Sequence, residues 1–226
     1  MTLETRSRVR EQEIFNSRVD EIKRVLLIPE IKKIFSLLPK DPRVCDLFTG
    51  TGAGINAVYE RLAKLGKPPS QIVGVDDFHL EEEILSFPMF RIYDRAGYPL
   101  SQAETIRNLR LISTETSLTI KRTDGLDYLE QLPKSPFPFD LVTGFSVPLN
   151  SKFDESRFEV MVKNLPMECY TLFTFGQTSE YYLDFLRRNL NGNNDIQNLW
   201  EFHAKPQGIA SPGWDTWIMT NRNLGN

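Results

Sequence analysis

The stretch RVCDLFTGTGAGINAVYERL, residues 43 to 62, places Gly50, Gly52 and Gly54 at alternate positions directly after a short apolar run. The apolar run predicts a buried strand over residues 43–48, and the periodic apolar residues that follow predict a helix through Leu65. Glycine has no Cβ, so it allows the backbone to approach a ligand closely. The stretch therefore predicts a strand, a tight turn and a helix, with a ligand at the turn.

Four more stretches of the chain have the composition of buried strands, and helical patterns lie between them. The strands are QIVGVDDF (71–78), SLTIKR (117–122), FDLVTGFSV (139–147) and CYTLFTF (169–175). TDGLDYLEQLP (123–133), residues 153–165 and SEYYLDFLRRNL (179–190) have helical patterns. Strands that alternate with helices are typical of an α/β fold, in which a parallel sheet is covered on both faces.

The end of the chain departs from this alternation. LWEFHAK (199–205) and WDTWIMT (214–220) both predict strands, and PQGIASPG (206–213) between them is too short for a helical crossover. The pair should therefore be antiparallel. We predict a doubly wound, mostly parallel seven-stranded sheet with an antiparallel C-terminal hairpin strand. Residues 1–40 form an N-terminal helical extension, and residues 41–226 form the main domain, with an insertion at about 80–117.

Composition restricts the possible classes of protein. The 226 residues are 40% hydrophobic and 25% charged, which is ordinary for a globular domain. The net charge of −3 provides no general attraction to nucleic acid or to an anionic membrane. Cys45 and Cys169 lie in apolar runs, so neither a disulfide framework nor a metal site is expected. With no leader and no long apolar run, a cytoplasmic protein without a membrane partner is expected.

Two kinds of nucleotide-binding turn compete for the glycine stretch. The dinucleotide fingerprint G-x-G-x-x-G/A must begin close to the end of the first strand. If Gly50 is its first glycine, the third position falls on Ile55, which is too large. If Gly52 is first, Ala57 fits, but the residues TGT then separate the strand from the fingerprint. Neither register suits a dinucleotide well.

The segment DLFTGTGAG, which begins at Asp46, resembles the first motif of the class I S-adenosylmethionine-dependent methyltransferases in its DLF-x-GTG variant. Phe48 occupies a position that is often glycine, and this constrains the loop. The resemblance covers roughly residues 43 to 220 as an order of elements, but only residues 44–54 and 72–78 as specific motif. It implies a Rossmann-like methyltransferase domain, S-adenosylmethionine as cofactor and methyl transfer as the reaction.

The resemblance also implies roles for individual residues. Asp46 and the backbone from Thr49 to Gly52 would lie near the amino-acid part of the cofactor. Asp76, or Asp77 if the register differs by one, would accept hydrogen bonds from the ribose hydroxyls. Phe78 would cover the adenine or belong to the core, and Asp124 would accept the adenine amino group, cap a helix, or do both. The complete predicted cofactor-binding set is Asp46, Phe48, Thr49, Gly50, Thr51, Gly52, Asp76, Asp77, Phe78, Asp124, Gly125 and Phe145.

The acceptor of the methyl group is not identified by the sequence. Family members that methylate exocyclic amines or amides carry an Asn-Pro-Pro-aromatic motif after the fourth strand, where this chain has GFSVP (144–148). That route is therefore not expected, and a small molecule, a protein or RNA stays open as acceptor. Candidate bases are His79, Tyr93, Asp94, Tyr98 and Ser146. The alternative functions are an NAD(P)-dependent oxidoreductase on a related fold and a catalytically silent cofactor-binding module.

Overall fold

The computed structural model describes residues 3–78, 102–110, 112–147, 155–165, 168–175, 200–204 and 217–221. The helices in these ranges are α1 (Leu3–Val25), α2 (Pro29–Leu37), α3 (Ala53–Lys64), α4 (Gln102–Asn108), α5 (Gly125–Glu130) and α6 (Glu155–Asn164). The strands are β1 (Arg43–Leu47), β2 (Gln71–Asp76), β3 (Ser117–Arg122), β4 (Leu141–Val147), β5 (Tyr170–Phe175), β6 (Trp200–Ala204) and β7 (Trp217–Asn221).

The strands form one sheet in the order β3-β2-β1-β4-β5-β7-β6. The first five strands are mutually parallel, which confirms the predicted α/β fold with a parallel sheet. β7 lies between β5 and β6 and runs antiparallel to both. Because β1 has β2 on one side and β4 on the other, the direction of winding reverses at β1. Open α/β sheets bind their ligands at such a switch point, beyond the carboxyl ends of the strands.

The two faces of the sheet carry two separate hydrophobic clusters. One contains Cys45, Leu47 and Phe173 and is covered by α5 and α6. The other contains Val44, Ile72 and Leu172 and is covered by α1, α2 and α3. Alternate residues of a strand point to opposite faces, which is why Val44 and Cys45 belong to different clusters.

The N-terminal helices are fastened to the sheet by apolar packing and by polar contacts. Phe15, Ile22 and Phe35 are buried in the same cluster as the apolar face of α3. The ammonium of Lys67 donates to the carbonyl oxygens of Ser36 and Leu38 at the end of α2, at 2.6 Å each. A cation is favourable there because the last carbonyls of a helix lack partners within the helix. From Phe15 onward, the buried residues of α1 and α2 thus share one core with α3 and the sheet.

The observed strands begin and end within a few residues of those predicted. Both cysteines are buried thiols, and Cys169 directly precedes β5. The predicted helix over 179–190, most of the insertion, and His79, Tyr93, Asp94 and Tyr98 lie outside the described residues. Ser146 lies in β4. None of the described helices combines the length and the apolar character that crossing a lipid bilayer would require.

Candidate functional site

The loop between β1 and α3 has a backbone conformation that few residue types adopt. Gly50 and Gly52 have positive φ angles of 50° and 81°, as a turn of this kind requires. Phe48 also lies in the left-handed region, with φ 61°, although it has a Cβ. A non-glycine residue held there costs on the order of 1 kcal/mol or more, so the surrounding contacts must stabilise it. Phe48 therefore constrains the loop, as its replacement of glycine suggested.

Thr49 connects this loop to the neighbouring strand β2. Its amide donates to the carbonyl oxygen of Val75 at 3.0 Å, and its hydroxyl accepts a hydrogen bond from the Val75 amide at 2.8 Å. The hydroxyl also donates to the carbonyl oxygen of Asp46 at 2.8 Å. Thr49 is buried, and it continues the contact of β1 with β2 two residues beyond the end of β1.

Asp76 ends β2 and holds the loop through its carboxylate. One carboxylate oxygen accepts the amide of Gly50 at 2.8 Å, and the other accepts the amide of Phe78 at 2.8 Å. A carboxylate has about four acceptor positions, so it can accept from several donors at once. The side chain is partly exposed, and the loop at the end of β1 lies directly beside it.

Asp46 is a buried carboxylate next to the same loop. It is 2% exposed, and Oδ1 accepts the hydroxyl of Thr143 at 2.6 Å. The pairing of β1 with β4 brings the two residues together, because Asp46 and Thr143 are register partners. Within the described part of the chain, no Lys, Arg or His forms a salt bridge with Asp46. A buried carboxylate without a cationic partner is costly to ionise.

The electrostatics of Asp46 follow from this environment. Burial raises the pKa of the carboxyl from 3.8 to about 7, and the nearby Asp76 carboxylate acts in the same direction. The hydrogen bonds from Thr143 and Thr49 act in the opposite direction but are weaker than the burial. A cation placed beside Asp46 would favour the ionised form.

Phe145 packs against the start of α3 at Gly54. A Cβ added to Gly54 would lie 2.5 Å from Cδ2 of Phe145 and 3.3 Å from Oδ2 of Asp46. The third glycine of the stretch is therefore required by packing between α3 and β4, which the sequence did not indicate. Phe145 is buried and belongs to the cluster on the α3 face of the sheet.

Gly54→Ala is expected to destabilise the fold by about 2 kcal/mol, because the added methyl group overlaps the Phe145 ring. Gly125→Ala is the matched control, since Gly125 also lies in the first turn of a helix and its Cβ would be 3.3 Å from Phe48. Urea denaturation of both variants measures the difference. Equal stabilities for the two variants would contradict the packing explanation.

Four of the remaining predicted site residues lie near the ends of β2 and β3. Phe78 is 3% exposed and has a positive φ of 50°, and Gly125 lies under the Phe48 ring. Asp77 is exposed. Asp124 is the N-cap of α5, where Oδ1 accepts the amides of Leu126 and Asp127, and its other oxygen pairs with Arg157 of α6. The capping interpretation of Asp124 is thus observed, and its carboxylate also carries an ion pair that the sequence did not predict.

The structure adds several residues to the set predicted from sequence. Thr105 and Asn108 of α4 donate to the carbonyl oxygens of Gly50 and Thr51, at 2.7 and 3.1 Å. Thr143 donates to Asp46. These contacts join residues 55 to 97 positions apart, so no local sequence signal could have identified them. No group of three or more potential metal-ligating side chains occurs in the described ranges.

The arrangement at the ends of β1 and β2 disfavours an anionic ligand. The Gly50 amide, which in a phosphate-binding turn would point to the phosphate, already donates to the Asp76 carboxylate. Asp46 lies behind the same loop. A diphosphate placed there would meet the carboxyl groups of Asp46 and Asp76. A ligand with hydroxyl donors and positive charge matches these groups better.

Comparison with known proteins gives the same fold. No protein-family model matches the chain, and no curated protein matches it in sequence. Among solved structures it is similar to magnesium protoporphyrin IX methyltransferase from Synechocystis PCC 6803 with bound SAM (TM-score 0.51, 14% identity, 90% of this chain and 77% of that chain covered). It is also similar to precorrin-6y C5,15-methyltransferase from Geobacter metallireducens GS-15 (TM-score 0.50, 12% identity, 85% and 88% covered). The chain has the Rossmann-like fold of the class I S-adenosylmethionine-dependent methyltransferases.

Proposed function

We propose that this protein binds S-adenosylmethionine and transfers its methyl group to an acceptor. One observation carries the proposal: the Asp76 carboxylate closes the glycine loop by accepting the Gly50 amide, so the loop presents an acid where a dinucleotide-binding loop presents free amides. The cofactor has no phosphate, and its sulfonium and amino groups are positive. An acidic loop at the switch point of the sheet suits that ligand.

In this proposal the Asp76 carboxylate, which is partly exposed and lies at the end of β2 beside the loop, accepts the ribose hydroxyls. Asp46 and the backbone from Thr49 to Gly52 lie toward the amino-acid part, where Asp46 would gain a cationic partner. The bound cofactor supplies a methyl group on sulfur that is already activated for displacement. The chain's own task is then to hold donor and acceptor in line, and positioning of this kind can supply much of the rate.

The rest of the predicted site belongs to the same proposal. Phe48, Phe78, Gly125 and Phe145 form the apolar surroundings, and Asp124 is proposed to combine its capping role with a place near the adenine. The pairing of β7 with β5 supports the mostly parallel seven-stranded sheet with an antiparallel C-terminal strand that we infer for the chain. An oxidoreductase of the dinucleotide type would have a parallel strand at that place.

The acceptor is proposed to be reached without the amine-recognition motif. In β4, Phe145 follows Gly144 in the segment where that motif would supply its amide side chain, and Phe145 instead packs on Gly54. An apolar ring in contact with α3 cannot accept hydrogen bonds from an amine. Oxygen, carbon, sulfur and other nitrogen acceptors agree with this arrangement, in a small molecule, a protein or RNA.

A calorimetric titration with S-adenosylmethionine, S-adenosylhomocysteine and NAD tests the proposal. Saturable binding of the first two and none of NAD is expected. Saturable binding of NAD alone would refute it. A labelled-methyl assay over small-molecule, protein and RNA pools then tests the transfer, and binding without transfer to any pool would favour the catalytically silent module.

A further inference from the structure

We propose that α4 is a positioning element for the glycine loop, and that Thr105 and Asn108 set the loop conformation that the ligand meets. This inference rests on the proposed function for the identity of the ligand, but not for the positioning itself. Thr105 is completely buried and donates to the carbonyl oxygen of Gly50 at 2.7 Å. Asn108 donates through Nδ2 to the carbonyl oxygen of the next residue, Thr51, at 3.1 Å.

The two peptide groups that flank Gly50 are therefore each held by a different element, β2 or α4. The Gly50 amide donates to Asp76 of β2, while the Gly50 carbonyl accepts from Thr105 of α4. Together these bonds fix the orientation of both peptide planes that flank Gly50. They oppose any rotation that would turn the Gly50 amide away from Asp76.

Packing from α4 reinforces the hydrogen bonds. A Cβ at Gly52 would lie 3.0 Å from both Cγ and Cδ2 of Leu109, which follows the last residue of α4. Leu109 therefore fills the space beside the third left-handed residue of the loop. Thr105 and Asn108 of α4, together with the adjacent Leu109, thus provide three contacts to the loop.

The position of α4 in the chain makes this contact functionally relevant. α4 lies between β2 and β3, within the predicted insertion at about 80–117. Long connections of this kind often form binding loops. These hydrogen bonds couple the position of α4 to that of the Gly50 and Thr51 carbonyls in the glycine loop.

The test compares Thr105→Val with Thr116→Val. Thr116 is a matched control, because it is also buried and its hydroxyl donates to a carbonyl oxygen, that of Pro69, at 2.9 Å. Thr116 lies at the amino ends of β2 and β3, whereas the glycine loop lies at the carboxyl ends of the strands. Hydrogen exchange of the peptide covering residues 48–54 is measured without ligand, and affinity for S-adenosylhomocysteine is measured by titration. Thr105→Ser keeps the hydroxyl and serves as rescue.

Thr105→Val is expected to accelerate exchange in the loop and to weaken binding roughly fivefold, as loss of one hydrogen bond predicts. Thr116→Val should change neither quantity, and Thr105→Ser should behave as the wild type. Asn108→Ala should accelerate exchange in the same peptide and provides a second variant if Thr105→Val folds poorly. Unchanged loop exchange in both Thr105→Val and Asn108→Ala would overturn the inference. If the wild type binds neither S-adenosylmethionine nor S-adenosylhomocysteine, the proposed function fails. The exchange data, which are collected without ligand, still decide whether α4 holds the loop.

Discussion

Replacing Asp76 by alanine is expected to lower the affinity for S-adenosylmethionine roughly a hundredfold, since two kinds of charge-assisted hydrogen bond disappear together. The variant loses the acceptor for the Gly50 amide, which holds the loop at 2.8 Å from the carboxylate. It also loses the proposed acceptor for the ribose hydroxyls. Titration of the wild type and the variant with S-adenosylmethionine at one salt concentration measures the effect.

Asp77→Ala is the matched control for this experiment. Asp77 is the adjacent acid and carries the same charge, but it is exposed. Its replacement should leave the affinity within about twofold of the wild type, because surface charges have small effects. A large loss in Asp77→Ala with little loss in Asp76→Ala would show that the ribose is held one residue further along.

The second large effect concerns Asp46 and the dependence of stability on pH. The pKa of this carboxyl is about 7 in the folded chain, against an ordinary value of 3.8, and burial is the main cause. Between these values the folded chain binds a proton that the unfolded chain does not, so the free energy of unfolding falls as pH rises toward 7. The contribution of Asp46 is fully present below about pH 4 and is lost by about pH 7, at about 1.4 kcal/mol for each pH unit in that window.

Asp46→Asn isolates this contribution. The amide keeps an oxygen that can accept the Thr143 hydroxyl, but it cannot ionise. Urea unfolding near pH 5 and near pH 8 should show that the wild type loses on the order of 3 kcal/mol more than the variant across this interval. Parallel pH dependences in the two proteins would mean that Asp46 is already ionised in the folded chain.

The same carboxyl links cofactor binding to protons. A cationic ligand beside Asp46 favours its ionised form and so lowers its pKa. Binding below about pH 7 should therefore release a proton. The binding enthalpy of the wild type should then vary with the ionisation enthalpy of the buffer, and that of Asp46→Asn should not.

The order of elements was accessible from the sequence because it depends on local patterns. Alternating buried-type strands and helices predicted the parallel sheet, and the glycines of DLFTGTGAG predicted the tight turn after β1. The position of Asp76 at the end of β2 followed from the same reasoning. These features depend on the burial, periodicity and conformational freedom of residues that are close together in the chain.

The partners of the site residues could not be predicted in this way. Asp46 meets Thr143 because β1 and β4 are adjacent in a particular register, and strand order is not encoded in any short segment. Gly54 was interpreted as part of a ligand-binding turn, whereas its lack of a side chain also makes room for Phe145. The ion pair of Asp124 with Arg157 likewise depends on the packing of α5 beside α6.

By itself the sequence determined which residues form strands, helices and the tight turn, since hydrophobic period and glycine content act over a few residues. Only the tertiary structure decided what surrounds the acids at that turn: that Asp76 takes the Gly50 amide, that Asp46 is buried without a described cation, and that α4 holds the loop carbonyls. The physical reason is that charge, burial and hydrogen bonding at this site come from strands and a helix that are far apart in the chain and meet only when the sheet forms.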